Sequence, residues 1–230
     1  MSTYLIIGGS SGIGKQIVSD LLSQGASVIS MSRSQINAIP QGHIKHFQHD
    51  VCSDESFPEI ESGLDGIVYC PGSINLKPFK GLSINDFQED MNINFFGLVR
   101  SMQAYSSNLN DGASVVLFST VAVNTGMPFH TSVSAAKSAV EGFGRSLAAE
   151  LAPKIRVNII SPSLTDTPMS AKLLKSERQK EASNDRHPLK RVGTVNDISN
   201  MATFLLSSNS SWISGQVFNV DGGMSTLKLL

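Results

Sequence analysis

The sequence predicts an α/β protein, a single domain whose parallel sheet of about seven strands is doubly wound, with helices on both faces. Three observations predict it. Short apolar runs recur along the chain without polar alternation, as in strands covered on both sides. Stretches with helical periodicity separate them, as crossover connections between parallel strands require. The 230 residues suffice for one large core and show no repeat or Pro/Gly linker that would divide it.

The elements follow in order. Tyr4 to Ile7 is an apolar run that ends in glycines. A helix follows, with Ile13, Ile17, Val18, Leu21 and Leu22 on one face and Gly25 as its C′ residue. Further strands are expected at Val28–Met31, Ile44–Phe47, Gly66–Tyr69, Val115–Phe118, Val157–Ile160 and Gln216–Val220. Helices are expected at about 53–63, 85–108, 130–152 and 195–207. Residues 164–194 break the rhythm with many charges and no strand. A long excursion from a strand's C-terminal end suits a substrate lid better than a solvated helix pair. Phe95, Phe96, Phe118 and Phe143 read as core, and Trp212 as core or subunit interface.

Composition excludes several classes. Forty per cent hydrophobic against 16% charged residues describes a globular interior, not a disordered chain. A formal net charge of −1 lacks the basic footprint of a nucleic-acid or anionic-membrane binder. No apolar run approaches the ~20 residues of a bilayer span. Met1-Ser2-Thr3-Tyr4 has no basic region before the first apolar run, so it does not read as a signal peptide. Cys52 and Cys70 have no paired ligand spacing, which speaks against a disulfide framework or a metal site. A cytoplasmic protein is expected.

Gly8-Gly9-Ser10-Ser11-Gly12-Ile13-Gly14 lies between the first strand and the first helix. There the chain must turn sharply, approach a pyrophosphate with its backbone and pack a helix closely on the sheet. Glycine serves each need, and the helix N-terminus offers N–H groups to an anion. This context predicts a Rossmann-type dinucleotide site. At the end of the second strand, an acidic residue would bind a ribose 2′-hydroxyl; here Ser32-Arg33 stands instead. A guanidinium suits a 2′-phosphate, so NADP(H) is preferred, with NAD(H) possible.

Over nearly its whole length the chain resembles the short-chain dehydrogenase/reductases. The Gly-x-x-x-Gly-x-Gly loop matches theirs, with Ile7 where a threonine is usual. Asp50-Val51 resembles the family's adenine-contacting pair, and Tyr69-Cys70-Pro71-Gly72 stands for its Asn-Asn-Ala-Gly segment. Asn94, in Asn92-Ile93-Asn94-Phe95-Phe96-Gly97, matches the central-helix asparagine, and Lys137 in Ser134-Ala135-Ala136-Lys137 the active-site lysine. Ser161-Pro162-Ser163-Leu164-Thr165-Asp166-Thr167-Pro168-Met169 resembles the segment that holds the nicotinamide, with Ser163 replacing a glycine. Ser214-Gly215-Gln216 through Val220-Asp221-Gly222-Gly223 resembles the closing strand.

The resemblance implies cofactor contacts from Gly8, Ser10, Ser11, Gly12, Ile13, Gly14, Arg33, Asp50, Val51, Gly72, Lys137, Pro162, Thr165 and Thr167. It implies a small carbonyl or alcohol substrate, and a homodimer or homotetramer formed through the helices near 85–108 and 130–152 and the C-terminal strand region. In that family a tyrosine is the acid/base, a serine binds the substrate oxygen, a lysine holds the ribose and an asparagine maintains a proton relay. Here the tyrosine's position, four residues before Lys137, is Val133, and the serine's is Thr120, beside Ser119. Valine can neither give nor take a proton, whereas threonine keeps the hydroxyl. Asn94, Thr120, His130 and Lys137 are therefore the catalytic candidates. His130 lies on Val133's face if the helix extends back that far. Tyr69 reads as packing rather than as a group at the cofactor's edge. Two readings stand open: an oxidoreductase with a non-standard proton donor, and a catalytically silent dinucleotide binder with a regulatory or partner role.

Overall fold

The computed structural model describes residues 1–36, 42–61 and 63–228. The chain runs β1 (Thr3–Ile7), α1 (Gly12–Ser23), β2 (Ser27–Ser32), β3 (Ile44–Gln48), β4 (Leu64–Tyr69), α2 (Ile84–Met91), a π-helical turn (Asn92–Phe96) and α3 (Gly97–Tyr105). It continues β5 (Leu109–Phe118), α4 (Ala122–Thr125), α5 (Thr131–Leu151), β6 (Arg156–Pro162), α6 (Glu177–Arg186), α7 (Val195–Leu206) and β7 (Val217–Val220). Among the described residues the strands form one seven-stranded sheet in the order β3-β2-β1-β4-β5-β6-β7, and each pairing is parallel.

The inner strands β1, β2, β4, β5 and β6 are largely buried, the edge strands β3 and β7 only in part, and the alternation of side chains divides the core in two. Leu5, Ile7, Ile67, Val115, Leu117, Val157 and Ile159 point to the face covered by α3 and α5. Ile6, Val28, Val68, Val116, Phe118 and Ile160 point to the face covered by α1 and α7. Helix α5 buries Val133, Ala136, Lys137, Val140, Glu141, Gly144 and Ala148, a stripe at helical spacing. At Gly144 a side chain would press on Ile159 at 2.9 Å and Leu117 at 3.1 Å, so the glycine lets α5 lie close on the sheet. Helix α1 ends as expected: Gly25 has φ +79°, and the N–H groups of Gly25 and Ala26 return to the Leu22 and Leu21 carbonyls, a Schellman motif.

Several expectations are corrected. No helix forms over the described residues of 53–63, which run as bends and irregular chain. Pro58 sits mid-segment, where it lacks a donor and steers Phe57 away from helical angles. The helix expected over 85–108 is divided by the π-helical turn, and β5 starts six residues before Val115, at Leu109. Phe96 is 45% exposed and Trp212 99% exposed, so neither is core. The excursion after β6 carries a 3₁₀ turn at Ala171–Leu173 and one α-helix, α6, opened by a capping box between Ser176 and Gln179. Its ends are stapled together: Thr165 bridges Gly193, Asp166 N–H donates to the Gly193 carbonyl and Gly193 N–H to that of Leu164. No helix among the described residues is long and apolar enough to cross a membrane.

Candidate active site

Parallel strands place all their C-terminal ends on one edge, and the order reverses between β1 and β4. Ligands of open α/β sheets bind in the crevice at such a reversal. Apart from Lys137, which lies in α5, the residues singled out as cofactor contacts lie on this edge or just beyond it: the glycine loop after β1, Arg33 after β2, Asp50 and Val51 after β3, Gly72 after β4 and Pro162 to Thr167 at and after β6.

The glycine loop is shaped by close approach. Gly8 and Gly12 have φ of +84° and +53°, which side chains resist. A side chain on Gly14 would meet the Gly8 carbonyl oxygen at 2.3 Å, and one on Gly9 the Ser30 hydroxyl at 2.4 Å. Helices α2, α6 and α7 each open with a capping box; α1 does not. Its N-cap, Ser11, makes no side-chain cap bond, so the first-turn N–H groups stay free for an anion. Thr167 comes over the loop, 3.6 Å from where a Gly12 side chain would begin. This bare-backbone cradle fits a dinucleotide's diphosphate. Arg33 is exposed at the end of β2, and Asp50 accepts the Cys52 N–H at 2.9 Å.

The catalytic end is built on β4, β5, α5 and the π-helical turn. Lys137 is buried and its Nζ donates to the Phe118 carbonyl at 2.9 Å. Burial pushes its pKa down to about 8, with the nearby Asp90 carboxylate opposing the shift. Cys70 lies alongside, its thiol pushed up to about 12 by burial, so it stays neutral. Asn94, fully buried, donates its Nδ2 to Ser73 Oγ and to the Asp90 carbonyl, both at 2.8 Å. Its Oδ1 has no partner. Gly72 separates Asn94 from Lys137: a side chain there would lie 3.1 Å from Asn94 Oδ1 and 3.4 Å from Lys137 Nζ.

The two hydroxyls at the end of β5 have parted ways. Ser119 donates to buried Glu141 at 2.7 Å, which binds Arg145 as well. Thr120 has only a 3.4 Å contact from the Ala122 N–H, leaving its hydroxyl able to hold a substrate oxygen. Val133 is buried one turn before Lys137. Helix α5 does not extend back to His130, which is its N-cap. The ring turns to the Pro128 carbonyl, 2.7 Å from Nδ1; that nitrogen carries the hydrogen, and Nε2 is left free.

Sequence reasoning missed Asp90 and His187, and read Tyr69 as packing without its hydrogen bond. Asp90, 1% exposed, accepts from Ser73 Oγ at 2.5 Å. Tyr69 donates to the Ile93 carbonyl at 2.7 Å, inside the π-helical turn that presents Asn94. His187, buried at the end of α6, links Ser163 Oγ (2.9 Å) to the Ser183 carbonyl (2.7 Å), so Ser163 ties the excursion to the sheet. An acid four residues before Asn94 could have revealed Asp90; nothing in the sequence marks His187 or the bond that Tyr69 makes.

Comparison with known proteins accords with this geometry. Residues 8–225 match the family described as enoyl-(acyl carrier protein) reductase. A 3-oxoacyl-[acyl-carrier-protein] reductase of Aquifex aeolicus is 31% identical over 239 residues, covering 96% of each chain. A tropinone reductase homologue of Arabidopsis thaliana is 30% identical, covering 97% of this chain and 90% of its own. Among solved structures, a protein of Agrobacterium tumefaciens with bound NADP superposes with a TM-score of 0.87 at 28% identity, over 97% of this chain and 96% of that one. A short-chain type dehydrogenase/reductase of Mycobacterium ulcerans gives 0.84 at 29% identity, over 97% and 90%. The chain belongs to the short-chain dehydrogenase/reductase family, and with it to the NAD(P)-dependent oxidoreductases acting on CH–OH and C=O groups.

Proposed function

From that membership we propose that the chain is an NADP(H)-preferring oxidoreductase of a small carbonyl or alcohol, with a proton donor other than tyrosine. The observation that carries this reading is buried Lys137, beside unpartnered Asn94 Oδ1 and one turn after Val133. A bound dinucleotide supplies or takes the hydride. The glycine loop and the start of α1 hold its diphosphate, and Arg33 its 2′-phosphate. Asp50 and Val51 lie at the adenine, Lys137 at the ribose, and Pro162, Thr165 and Thr167 at the nicotinamide. Thr120 holds the substrate oxygen, and Lys137, as ammonium below about pH 8, supplies the proton. The excursion over 164–194 closes over the substrate.

Nicotinamide absorbance with a panel of ketones and alcohols tests the reading. Turnover that survives His130→Ala but falls at least ~10²-fold in Lys137→Ala, with weaker dinucleotide binding, assigns proton delivery to the lysine. The opposite pattern assigns it to His130 Nε2. Val133, with no proton to offer, favours the silent-binder reading, and that reading prevails if only Val133→Tyr turns over. We further propose a cytoplasmic homo-oligomer. The exposed Phe96 and Trp212 support one, and light scattering that gives a 24.6 kDa particle refutes it.

A further inference from the structure

Two buried oxygens at the catalytic end have no partner, Asn94 Oδ1 and Asp90 Oδ2. Asp90 lies one turn before Asn94 and faces the protein interior, while its neighbour Glu89 is exposed and Asp86 pairs with Lys77 on the outer side. A carboxylate taken from water is strongly disfavoured unless it is paired. Asp90 has one bond at Oδ1, from Ser73, and the cation that feels its charge is Lys137. Lys137 in turn spends one of its three donors on Phe118. From β4 the other group beside the lysine is Cys70, neutral by burial. From α5, Ser132 reaches only the Asp86 carbonyl, at 3.4 Å.

We propose that Asp90, Ser73 and Asn94 form a buried relay that exchanges protons with Lys137, doing for this chain what no group at Val133 can do. This rests on the reading of the chain as an active oxidoreductase. The two carboxyl oxygens have different neighbours. Oδ1 faces Ser73, whose side chain is partly exposed and passes protons from solvent. Oδ2 is free toward the interior. In the reducing direction the substrate oxygen gains one proton from the Lys137 ammonium as the hydride brings the electron pair to carbon. The Asp90 carboxylate takes up a proton from solvent through Ser73 and passes it, through a water held on Asn94 Oδ1, to the lysine, now neutral. In oxidation each proton moves the other way, and no further reactant is needed.

Asp90→Asn keeps the shape and an acceptor for Ser73 but carries no charge and no exchangeable acid. Two readouts apply. In the cofactor-free protein, NMR titration of the Lys137 side chain should move to lower pH by at least ~0.5 unit, because an opposite charge has been removed. Turnover should fall at least ~10²-fold. A folded Asp90→Asn whose Lys137 titrates unchanged overturns the relay, as does unchanged turnover. An inactive wild type overturns the oxidoreductase reading and the relay with it; an active wild type with an unmoved lysine overturns the relay alone. Should Asp90→Asn fail to fold, Ser73→Ala cuts the solvent side and leaves the charge in place. Turnover at least ~10-fold down, restored by raising the concentration of a small buffer acid, supports the relay. Loss that no buffer restores, or no loss at all, overturns it.

Discussion

The two sides of the β1–β4 crevice are made of different material. On the β1 side the site is backbone: glycines with positive φ, uncapped N–H groups of α1 and a carbonyl that leaves no room for a side chain at Gly14. On the β4–β5 side it is side chains: Lys137, Asn94, Thr120, Val133, Asp90 and Ser73. By the resemblance read from sequence, the backbone side is expected to keep the family's pattern, and the side-chain side to differ from it at Val133, Thr120 and Cys70. Sterics explain the difference. A cradle made by close approach accepts no substituent at its contact points, whereas a proton can be held by any suitable acid near the right place.

The comparison breaks most sharply at Lys137, where both sides meet. Lys137→Met should lower turnover by ~10²–10⁴-fold and weaken dinucleotide binding. It should also change the pH dependence of stability. The folded-state pKa, about 8, lies below the usual 10.5, so between these values the unfolded chain holds a proton that the folded one lacks. Stability therefore carries the full burial penalty below about pH 8 and gains as pH rises toward 10.5. Urea unfolding at pH 7, 9 and 10 should show that gain in the wild type and lose it in Lys137→Met; parallel curves would contradict the buried ammonium.

Next comes the backbone side. Gly14→Ala forces a methyl against the Gly8 carbonyl, and such overpacking typically costs about 1–3 kcal/mol. The loop should shift, and calorimetry should find NADPH binding weakened ~10-fold or more. Gly142→Ala, where a side chain meets nothing within 4 Å, is the control and should leave binding unaltered. Equal affinities in the two variants would mean that the cradle is not the diphosphate site.

A smaller effect is expected at Arg33, a side chain placed on the backbone half. Arg33→Asp should erase or reverse the preference of NADPH over NADH, changing the affinity ratio ~10-fold or more, as the loss of a charge-assisted bond to phosphate implies. If the ratio is already one in the wild type and does not move, Arg33 is a solvated residue and the cofactor preference falls.

What could be read from sequence follows the same division. The inner strands were legible because each holds an apolar run, which the edge strand β3 (Ile44-Lys45-His46-Phe47-Gln48) lacks, and the glycine loop because close approach demands glycine itself. The helix expected near 53–63 failed at Pro58, whose ring overrides the surrounding helix formers. Asp90 was hidden by its neighbours: Asp86 and Glu89 belong to an outer face, and a third acid beside them reads as solvated. Only the one-turn spacing to Asn94 places it inward. The π-helical turn leaves no trace, since Asn92 to Phe96 would suit an α-helix equally well. Trp212 reads as core or subunit interface, and its 99% exposure removes the first of these.

The smallest expected effect sharpens the comparison, because it concerns a side chain that repairs backbone. In the turn at Asn92–Phe96 the Gly97 N–H reaches back five residues to the Asn92 carbonyl. The Ile93 carbonyl thereby loses the N–H that would serve it in an α-helix, and the Tyr69 phenol donates to it instead. Gly97 makes room, since a side chain there would meet the Tyr69 oxygen at 2.5 Å. Tyr69→Phe removes the donor and leaves a buried carbonyl unpaired, at a cost of about 1–3 kcal/mol. The turn can relax toward an ordinary helix, which would rotate Asn94 away from Gly72 and Lys137. Denaturant melts should therefore show a modest loss of stability, together with a lowered kcat and an unaltered dinucleotide affinity. If stability falls while kcat stays constant, the phenol only fills the core; if affinity falls as well, Tyr69 serves both sides of the crevice and the division drawn between them is wrong.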